Sequence, residues 1–242
     1  MHAPFITMEN KVVLITGAAK GQGAEEAELL AELGATVVLT DLDVAAGEQR
    51  ASTIGGNASF AALDVSDGDA WARVVADVVK VHGRIDVLVN NAGIWRADPL
   101  ESWTDSDLRR LLEVNLLGPI LGMRTVVGVM PESGGSIVNI ASTAGIGGIR
   151  NAVAYSSAKF GLRGATRSAA IEFGARGIRV NCVCPGAVDT TMIDAAHQDF
   201  SHIPLQRAGR VDEIAKLVAY LSSDASSYCT GAEFVIDGGS KA

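Results

Sequence analysis

A tyrosine and a lysine four positions apart, Tyr155 and Lys159, are the residues of this sequence best suited to moving a proton. Residues at positions i and i+4 share one face of a helix. An ammonium group beside a phenol favours the phenolate and lowers a pKa that starts at about 10. The pair therefore suits general acid–base chemistry at an oxygen atom, such as the interconversion of an alcohol and a ketone near neutral pH.

Ser142 can share in that chemistry because of where it falls in the sequence. It follows an apolar run, residues 136–141, that is typical of a buried strand. Ligands of open α/β sheets bind at the carboxyl ends of the strands. We therefore expect Ser142 to lie at the same site as Tyr155 and Lys159.

The first apolar run is followed by a turn with the pattern G-x-x-x-G-x-G, formed by Gly17, Gly21 and Gly23. A Cβ atom at these positions would block the approach of a phosphate group to the backbone. The helix that begins here presents unpaired N–H groups, which bind anions. The turn, which also holds Lys20 and Gln22, therefore predicts a site for the pyrophosphate of a dinucleotide.

Asp41 ends the second apolar run. A carboxylate there can accept hydrogen bonds from both hydroxyls of an adenosine ribose, and it repels a 2′-phosphate. An aspartate could also merely end a strand or cap the next helix, a part that Asp43 could equally take. Lys20 could neutralise a 2′-phosphate, but Leu42 stands where a compensating arginine is expected. These residues predict NAD as the cofactor.

Apolar runs without alternation recur along the chain, separated by helical stretches. Such runs indicate strands covered on both faces, and β-α-β alternation indicates a parallel sheet. The predicted strands are 11–16, 35–40, 58–63, 85–90, 136–141, 178–184 and 233–236, and the predicted helices are 22–33, 44–53, 67–81, 105–130 and 152–174. They predict an α/β fold, a single doubly wound Rossmann-type domain with a seven-stranded parallel sheet flanked by helices. This domain spans residues 11–242 and follows a leader of residues 1–10.

The composition of the 242 residues limits the classes of function. Hydrophobic residues make up 48% and charged residues 20%, as in globular proteins. The net charge of −8 disfavours partners such as nucleic acid or an anionic membrane surface, and no stretch has the roughly 20 apolar residues of a membrane helix. Three cysteines, two of them too close along one strand for a relaxed disulfide, and an N-terminus unlike a signal peptide indicate the cytoplasm. The four histidines lack the spacing of a metal site, so we expect no metal.

Five motifs in this order resemble those of the short-chain dehydrogenase/reductase family. They are the glycine turn, Asn90-Asn91-Ala92-Gly93, Ser142, Tyr155-x-x-x-Lys159 and Pro185-Gly186. The resemblance implies that Tyr155 exchanges a proton with the substrate oxygen and that Ser142 hydrogen-bonds this oxygen. It also implies that Lys159 lowers the pKa of Tyr155 and holds the nicotinamide ribose. Asn115 matches the family's fourth catalytic position, which anchors a water in the proton relay.

The same resemblance assigns contacts with the cofactor. Asp64 and Val65 would meet the adenine, Asn90 would lie beside the adenosine ribose, and Gly93 would leave room for the cofactor. Near the nicotinamide we expect Pro185, Gly186, Val188 and Thr190. The cofactor-binding residues expected in all are Gly17, Lys20, Gly21, Gln22, Gly23, Asp41, Leu42, Asp64, Val65, Asn91, Ala92, Gly93, Tyr155, Lys159, Pro185, Gly186, Val188 and Thr190.

The expected substrate is a neutral, hydrophobic small-molecule alcohol or ketone. Trp95, Ala144, Ile146 and Val153, with residues 190–197, form a mostly apolar set without an arginine cluster for a phosphate or carboxylate. Within the family the sequence looks most similar to bacterial hydroxysteroid and alicyclic alcohol dehydrogenases, around residues 21–25 and 226–228. By the same resemblance we expect a homotetramer built on the helices at 105–130 and 152–174.

Two alternatives are open. The first, a 3-oxoacyl carrier-protein reductase, belongs to the same family, but such enzymes generally carry a basic patch where this sequence has residues 131–133, and they usually use NADP. The second, a noncatalytic NAD-binding redox sensor, would tend to lose part of the catalytic set. Because Asn115, Ser142, Tyr155 and Lys159 are all present, we predict an NAD-dependent oxidoreductase.

Overall fold

Seven strands form one parallel sheet in the order β3-β2-β1-β4-β5-β6-β7 in the computed structural model, which describes residues 5–190 and 199–242. The strands are β1 (Val12–Thr16), β2 (Thr36–Asp41), β3 (Ala58–Ala62), β4 (Val87–Asn90), β5 (Gly135–Ile140), β6 (Ile178–Pro185) and β7 (Glu233–Ile236). Each begins and ends within two residues of its predicted bounds. The predicted single α/β domain with a seven-stranded parallel sheet is confirmed.

Helices cover both faces of the sheet. They are α1 (Gly21–Glu32), α2 (Val44–Ile54), α3 (Gly68–His82), α4 (Asp105–Leu112), α5 (Gly118–Val126), α6 (Val153–Phe173) and α7 (Val211–Ser222). On one side of β1 lies β2, followed by β3, whereas β4 pairs with the other side of β1. The order of the strands therefore reverses between β1 and β4, the point at which sheets of this kind bind ligands.

Successive residues of the central strands face opposite hydrophobic layers. In β1, Val12 and Leu14 belong to the layer that includes Trp71 of α3 and Leu121 of α5. Val13 and Ile15 belong to the opposite layer, which includes residues of α1 and α7. All five residues of β1 are buried. A strand covered on both faces gains from an apolar side chain at every position, which explains the unbroken apolar runs in the sequence.

The single helix predicted over 105–130 is two helices in the structure. A π-helical segment, Glu113–Leu117, separates α4 from α5, and α5 ends at Val126. Pro119 offers no N–H to the carbonyl of Asn115, four residues earlier, so a regular α-helix would leave that hydrogen bond unmade. The longer repeat of the π segment accommodates this gap.

Helix α7 has no counterpart among the predicted elements, although the sequence carries its signals. The Glu213 carboxylate accepts a hydrogen bond from the backbone N–H of Arg210 at 2.8 Å, which caps the start of the helix. Ile214, Val218 and Leu221 follow at helical spacing, and all three are buried. Helix α7 packs against α1 on one face of the sheet.

The predicted boundary between leader and domain at residue 10 stays a prediction. Met8 is fully buried, and its backbone N–H donates to the carbonyl of Leu33 at 2.9 Å, so this part of the predicted leader packs on the domain. Across the described ranges, 5–190 and 199–242, no helix combines the length and the apolar character needed to cross a membrane.

Glu26 of α1 is a carboxylic acid in the core. It is fully buried, one oxygen accepts a hydrogen bond from Gln22 Nε2 at 2.8 Å, and the other oxygen has no hydrogen-bond partner among the described residues. Burial raises the pKa of Glu26 to about 8, and the hydrogen bond from Gln22 only partly opposes this. Glu26 is therefore protonated in the folded protein at neutral pH.

This buried acid predicts a falling stability between pH 6 and pH 8. Over most of that range the folded protein keeps a proton on Glu26 that the unfolded chain has released, so the group costs about 1.4 kcal/mol of stability per pH unit near pH 6 to 7 and about half as much near pH 8. Replacing it in Glu26→Gln should remove this slope, and urea denaturation at pH 6, 7 and 8 measures it. Glu48→Gln, at an exposed position of α2, is the matched control. Equal pH slopes for Glu26→Gln and the wild type would contradict the prediction.

Candidate active site

A cleft of about 510 Å³ opens at the carboxyl edge of the sheet, beside the ends of β1 and β4. It brings together the residues predicted from distant parts of the sequence. The predicted catalytic and cofactor-binding residues line this cleft, with the exceptions of Asn115 and of Asn90, which was expected beside the adenosine ribose. The parallel sheet produces this convergence because it places the ends of all its strands at one edge.

The glycine turn after β1 is held against the turn after β4. Gly17 has a φ of +66°, and Asn91 Nδ2 donates to the carbonyl oxygens of Thr16 and Gly17 at 2.9 and 3.0 Å. A Cβ atom on Gly23 would lie 2.4 Å from both the Gly17 carbonyl oxygen and Asn91 Nδ2. Glycine is therefore required at positions 17 and 23 for the turn to close.

The start of α1 is suited to an anion. Helix α1 begins at Gly21 after Lys20, and no described side chain caps its first N–H groups. Gly21, Gln22 and Gly23, which carry N–H groups of this first turn, all line the cleft. Free N–H groups at a helix start bind phosphate. These residues fit the pyrophosphate of a nicotinamide dinucleotide.

The structure distinguishes Asp41 and Asp43, either of which could cap the next helix according to the sequence. Asp43 caps α2 by accepting from the Ala46 N–H at 3.2 Å, whereas Asp41 lines the cleft. The Asp41 carboxylate accepts from the N–H of Ala19 at 3.1 Å and from that of Asp43 at 3.0 Å. These two bonds fix its orientation and leave acceptor capacity for hydroxyl groups in the cleft.

Lys20 lines the cleft, but its ammonium group pairs with Asp43. The distance from Lys20 Nζ to Asp43 Oδ2 is 2.6 Å. The hydrogen bond to Asp43 raises the pKa of Lys20, and the same bond lowers the pKa of Asp43. Leu42 is exposed and lines the cleft beside this group.

Arg110 of α4 is a lining residue that the sequence did not reveal. It donates to Asp64 Oδ2 at 3.3 Å and to Ser66 Oγ at 2.6 Å. Partial burial acts to raise the pKa of Asp64, but hydrogen bonds from Ser66 and Arg110 hold it below its usual value. The Asp64 carboxylate, expected at the adenine, is thus already bound by two neighbours, one of them 46 residues away in sequence.

Asn90 does not lie where it was expected. Its side chain is buried and donates to Asn139 Oδ1 at 2.8 Å and to the Pro119 carbonyl at 3.3 Å. Asn91 lines the cleft instead. The reason is the alternation of a strand, since Asn90 ends β4 with its side chain directed into the core between sheet and α5.

Ser142, Tyr155 and Lys159 meet at one end of the cleft. The Ser142 hydroxyl accepts from the Ala144 N–H at 3.1 Å, and it lies near enough to Tyr155 to affect the pKa of the phenol. Lys159 Nζ donates to the Ile140 carbonyl at 2.8 Å and lies 5.6 Å from the centroid of the Tyr155 ring. The spacing of Tyr155 and Lys159 on α6 and the end of β5 therefore assemble the predicted set.

The electrostatics of this set differ from the expectation for the phenol. Burial raises the pKa of Tyr155, and the hydrogen bond with Ser142 only partly opposes this. Burial also lowers the pKa of Lys159 to about 8. Burial of the phenol therefore dominates its pKa, and the Lys159 ammonium donates to the Ile140 carbonyl.

Asn115 lies behind the cleft and holds the loop that follows β4. Its Oδ1 accepts from the Ile94 N–H at 3.2 Å, and its Nδ2 donates to the carbonyls of Ile94 at 2.9 Å and Leu111 at 3.1 Å. Both amide hydrogens are therefore used within the protein. Trp95, which follows Ile94 in this loop, packs edge-on against Tyr155 with ring centroids 4.6 Å apart.

The apolar wall differs in membership from the predicted one. Ala144 is fully buried, Ile146 packs against a core cluster, and Val153 is half exposed; none of these three lines the cleft. Their places are taken by Ile94, Ile149 and Ala187, with Trp95 as predicted. Thr190 lines the cleft, whereas residues 191–197 lie outside the described residues. No sequence signal distinguished Ile149 from Ile146, because both lie in one irregular segment.

The last residues of the sequence support the turn after β6. The Gly186 N–H donates to the Ile236 carbonyl at 3.0 Å, and a Cβ atom on Gly186 would lie 2.8 Å from Asp237 Cβ. The Leu205 N–H donates to the Gly238 carbonyl at 3.2 Å. Pro185 and Gly186 are therefore backed by the chain after β7.

Comparison with known proteins fits this site. Residues 17–241 match a family model described as enoyl-(acyl carrier protein) reductase. The sequence is 43% identical over 241 residues to trans-4-hydroxycyclohexanecarboxylate dehydrogenase of Sinomonas cyclohexanicum, covering 96% of this chain and 93% of that protein. It is 42% identical over 233 residues to 3-alpha-(or 20-beta)-hydroxysteroid dehydrogenase of Mycobacterium bovis, covering 96% and 90%. A dehydrogenase/reductase structure from Sinorhizobium meliloti superposes with a TM-score of 0.93 at 34% identity, covering 98% of this chain and 97% of that one.

The chain belongs to the short-chain dehydrogenase/reductase family. It is an oxidoreductase of the alcohol dehydrogenase and ketoreductase type, and its reaction transfers a hydride to or from a nicotinamide cofactor.

Proposed function

We propose that this enzyme interconverts a neutral alicyclic or steroid-like secondary alcohol and its ketone with NAD(H). The observation that carries the proposal is the convergence of Ser142, Tyr155 and Lys159 with a dinucleotide-sized cleft and an apolar wall. Both curated relatives described above are named for hydroxylated compounds that contain carbon rings. Apolar rings fit a wall formed by Ile94, Trp95 and similar residues.

In the proposed reaction, Ser142 and Tyr155 act on the substrate oxygen. Both side chains line the cleft, so an alcohol or ketone oxygen seated between their hydroxyls would contact both. During oxidation the Tyr155 phenolate oxygen would accept the alcohol proton, and a nicotinamide dinucleotide held in the cleft would supply the hydride acceptor for the carbinol carbon. Lys159 Nζ lies 5.6 Å from the centroid of the Tyr155 ring, and its ammonium form would favour the phenolate against the opposing effect of burial.

The charges of the cleft support a neutral substrate. Among the described lining residues, the cations are Lys20, Arg110 and Lys159. Lys20 and Arg110 lie at the Asp41 and Asp64 end of the cleft, where each pairs with a carboxylate. Lys159 is directed at the Ile140 carbonyl. A substrate carboxylate would therefore find no ready partner among these residues.

The choice of NAD over NADP rests on Asp41. Its carboxylate lines the cleft and retains acceptor capacity for ribose hydroxyls. A 2′-phosphate would remove one of these hydrogen bonds and bring two negative charges together. The pairing of Lys20 with Asp43 weakens the ability of Lys20 to compensate for the phosphate charge.

We further propose that the enzyme is a homotetramer and that it works in a reducing compartment such as the cytoplasm. Apolar side chains are exposed on the segment that includes α4 and α5, at Leu112, Leu117 and Ile120, and on α6 at Val153 and Phe160. Helical faces of this kind are buried when subunits associate. The three cysteines carry free thiols, as is typical of proteins in reducing compartments.

A panel of substrates tests the reaction and the substrate class. We expect cyclohexanol, cyclopentanol and a hydroxysteroid to be oxidised with a kcat/KM at least about tenfold above that of trans-4-hydroxycyclohexanecarboxylate, since an unpaired carboxylate costs binding energy. NADH absorbance measures the rates. A 3-oxoacyl thioester, tested in the reductive direction, represents the carrier-protein reductase alternative. Preference for the thioester or the carboxylate would contradict the proposal, and no turnover with any alcohol or ketone would favour the noncatalytic alternative.

Replacing Tyr155 by phenylalanine tests the proton donor. The ring and its contact with Trp95 are kept while the hydroxyl is lost, so kcat should fall by about 10² or more, the usual contribution of general acid–base catalysis. The dissociation constant for NADH should change little. Tyr228→Phe, at a fully exposed tyrosine, is the matched control and should retain wild-type turnover. Near-normal kcat in Tyr155→Phe would exclude this mechanism.

The ratio of kcat/KM values with NAD and NADP tests the cofactor. Loss of a charge-assisted hydrogen bond alone is worth about 1.5–3 kcal/mol, so NAD should be favoured by roughly tenfold to over a hundredfold. The double variant Asp41→Ser with Leu42→Arg should shift the preference toward NADP. Equal or better efficiency of the wild type with NADP would show that Asp41 does not select the cofactor.

A further inference from the structure

Lys20 and Asp43 form an ion pair at the rim of the cleft that the proposed reaction does not use. Lys20 Nζ lies 2.6 Å from Asp43 Oδ2, and the side chains are 63% and 43% exposed. Asp43 uses its other oxygen to cap α2. Its two oxygens therefore serve different partners, one on α2 and one on the glycine turn.

This pair belongs to the network that orients Asp41. The Asp43 N–H donates to Asp41 Oδ1, and the N–H of Ala19, next to Lys20, donates to Asp41 Oδ2. The negative charge of Asp41 also acts to raise the pKa of Lys20. Lys20 is thus near enough to Asp41 to meet a phosphate bound there, but its closest charged partner is Asp43.

We infer that Asp43 is a second cofactor-selecting residue, which holds the Lys20 ammonium away from a 2′-phosphate and so disfavours NADP. This inference rests on the proposed preference for NAD. With Asp43 in place, the side chains of Lys20, Asp41 and Asp43 carry a net charge of −1, and the Lys20 ammonium is paired with Asp43. Without the Asp43 charge, Lys20 would be free to turn toward the phosphate and offset Asp41. Asp43 thus selects the cofactor through Lys20, while Asp41 selects it by direct contact.

A double-mutant cycle separates this role from a simple loss of negative charge. Asp43→Asn removes the charge and keeps a good helix cap, and Lys20→Met removes the ammonium and keeps the length of the side chain. The readouts are the dissociation constants of NADPH and NADH, from nucleotide fluorescence, for the wild type, both single variants and the double variant. The dissociation constant for NADH and the melting temperature show whether each variant is folded, and Asp43→Ser, a second cap-preserving variant, replaces Asp43→Asn if that variant is not.

We expect Asp43→Asn to tighten NADPH binding by about fivefold, the scale of an exposed ion pair, with NADH binding changed by less than about twofold. Lys20→Met alone should change NADPH binding little, and in the double variant most of the gain should disappear. An equal gain with and without Lys20 would overturn the inference, since it would show only relief of repulsion. A large loss of NADPH affinity in Lys20→Met alone, or no gain in Asp43→Asn, would overturn it as well.

Failure of the inference about Asp43 can be distinguished from failure of the proposed preference for NAD. If the wild type prefers NADP, the proposed cofactor is wrong whatever the cycle shows. The coupling between positions 20 and 43 still decides whether Asp43 restrains Lys20. If the wild type prefers NAD and the two positions are uncoupled, the inference alone fails.

Discussion

The contact between the turn after β1 and the turn after β4 is the constraint on which the cleft depends. Thr16 Oγ1 accepts hydrogen bonds from the N–H groups of Asn91 and Ala92, and the Asn91 amide returns two bonds to the first turn. A Cβ atom on Gly17 would lie 2.8 Å from Ala92 Cα. The two turns are therefore held against each other. This contact places the start of α1, including the first-turn residues that line the cleft.

The end of β5 has a similar effect on the catalytic set. The Ile140 carbonyl binds Lys159 Nζ, and Ser142 follows two residues later. A Cβ atom on Gly145 would lie 2.8 Å from the backbone of Lys159, so the turn after β5 presses directly on α6. One strand end thus fixes both the serine and the lysine, while α6 carries the tyrosine. A buried amine is costly, and the hydrogen bond to the Ile140 carbonyl offsets part of that cost.

The sequence was most informative where chemistry and periodicity coincide. Unbroken apolar runs predicted the sheet because a strand covered on both faces needs apolar residues throughout, and the glycine turn is demanded by backbone contacts. The π segment was missed although Pro119 was visible, because the pattern of apolar residues continues across it. The pairing of Arg110 with Asp64 could not be predicted, since long side chains on separate elements meet only once the helices are packed. The exchange of Ile146 for Ile149 in the wall has the same origin, since an irregular segment has no period that assigns its residues to faces.

The chain after β7 gives the cleft a support from the far end of the sequence. Ile236 and Asp237 back the Pro185-Gly186 turn, and the Gly238 carbonyl binds the Leu205 N–H. Shortening the protein at this end would remove packing from beneath a wall of the cleft, although the sheet itself would keep all seven strands. For protein engineering, a fusion partner or affinity tag attached after residue 242 would sit next to structure that backs the turn after β6.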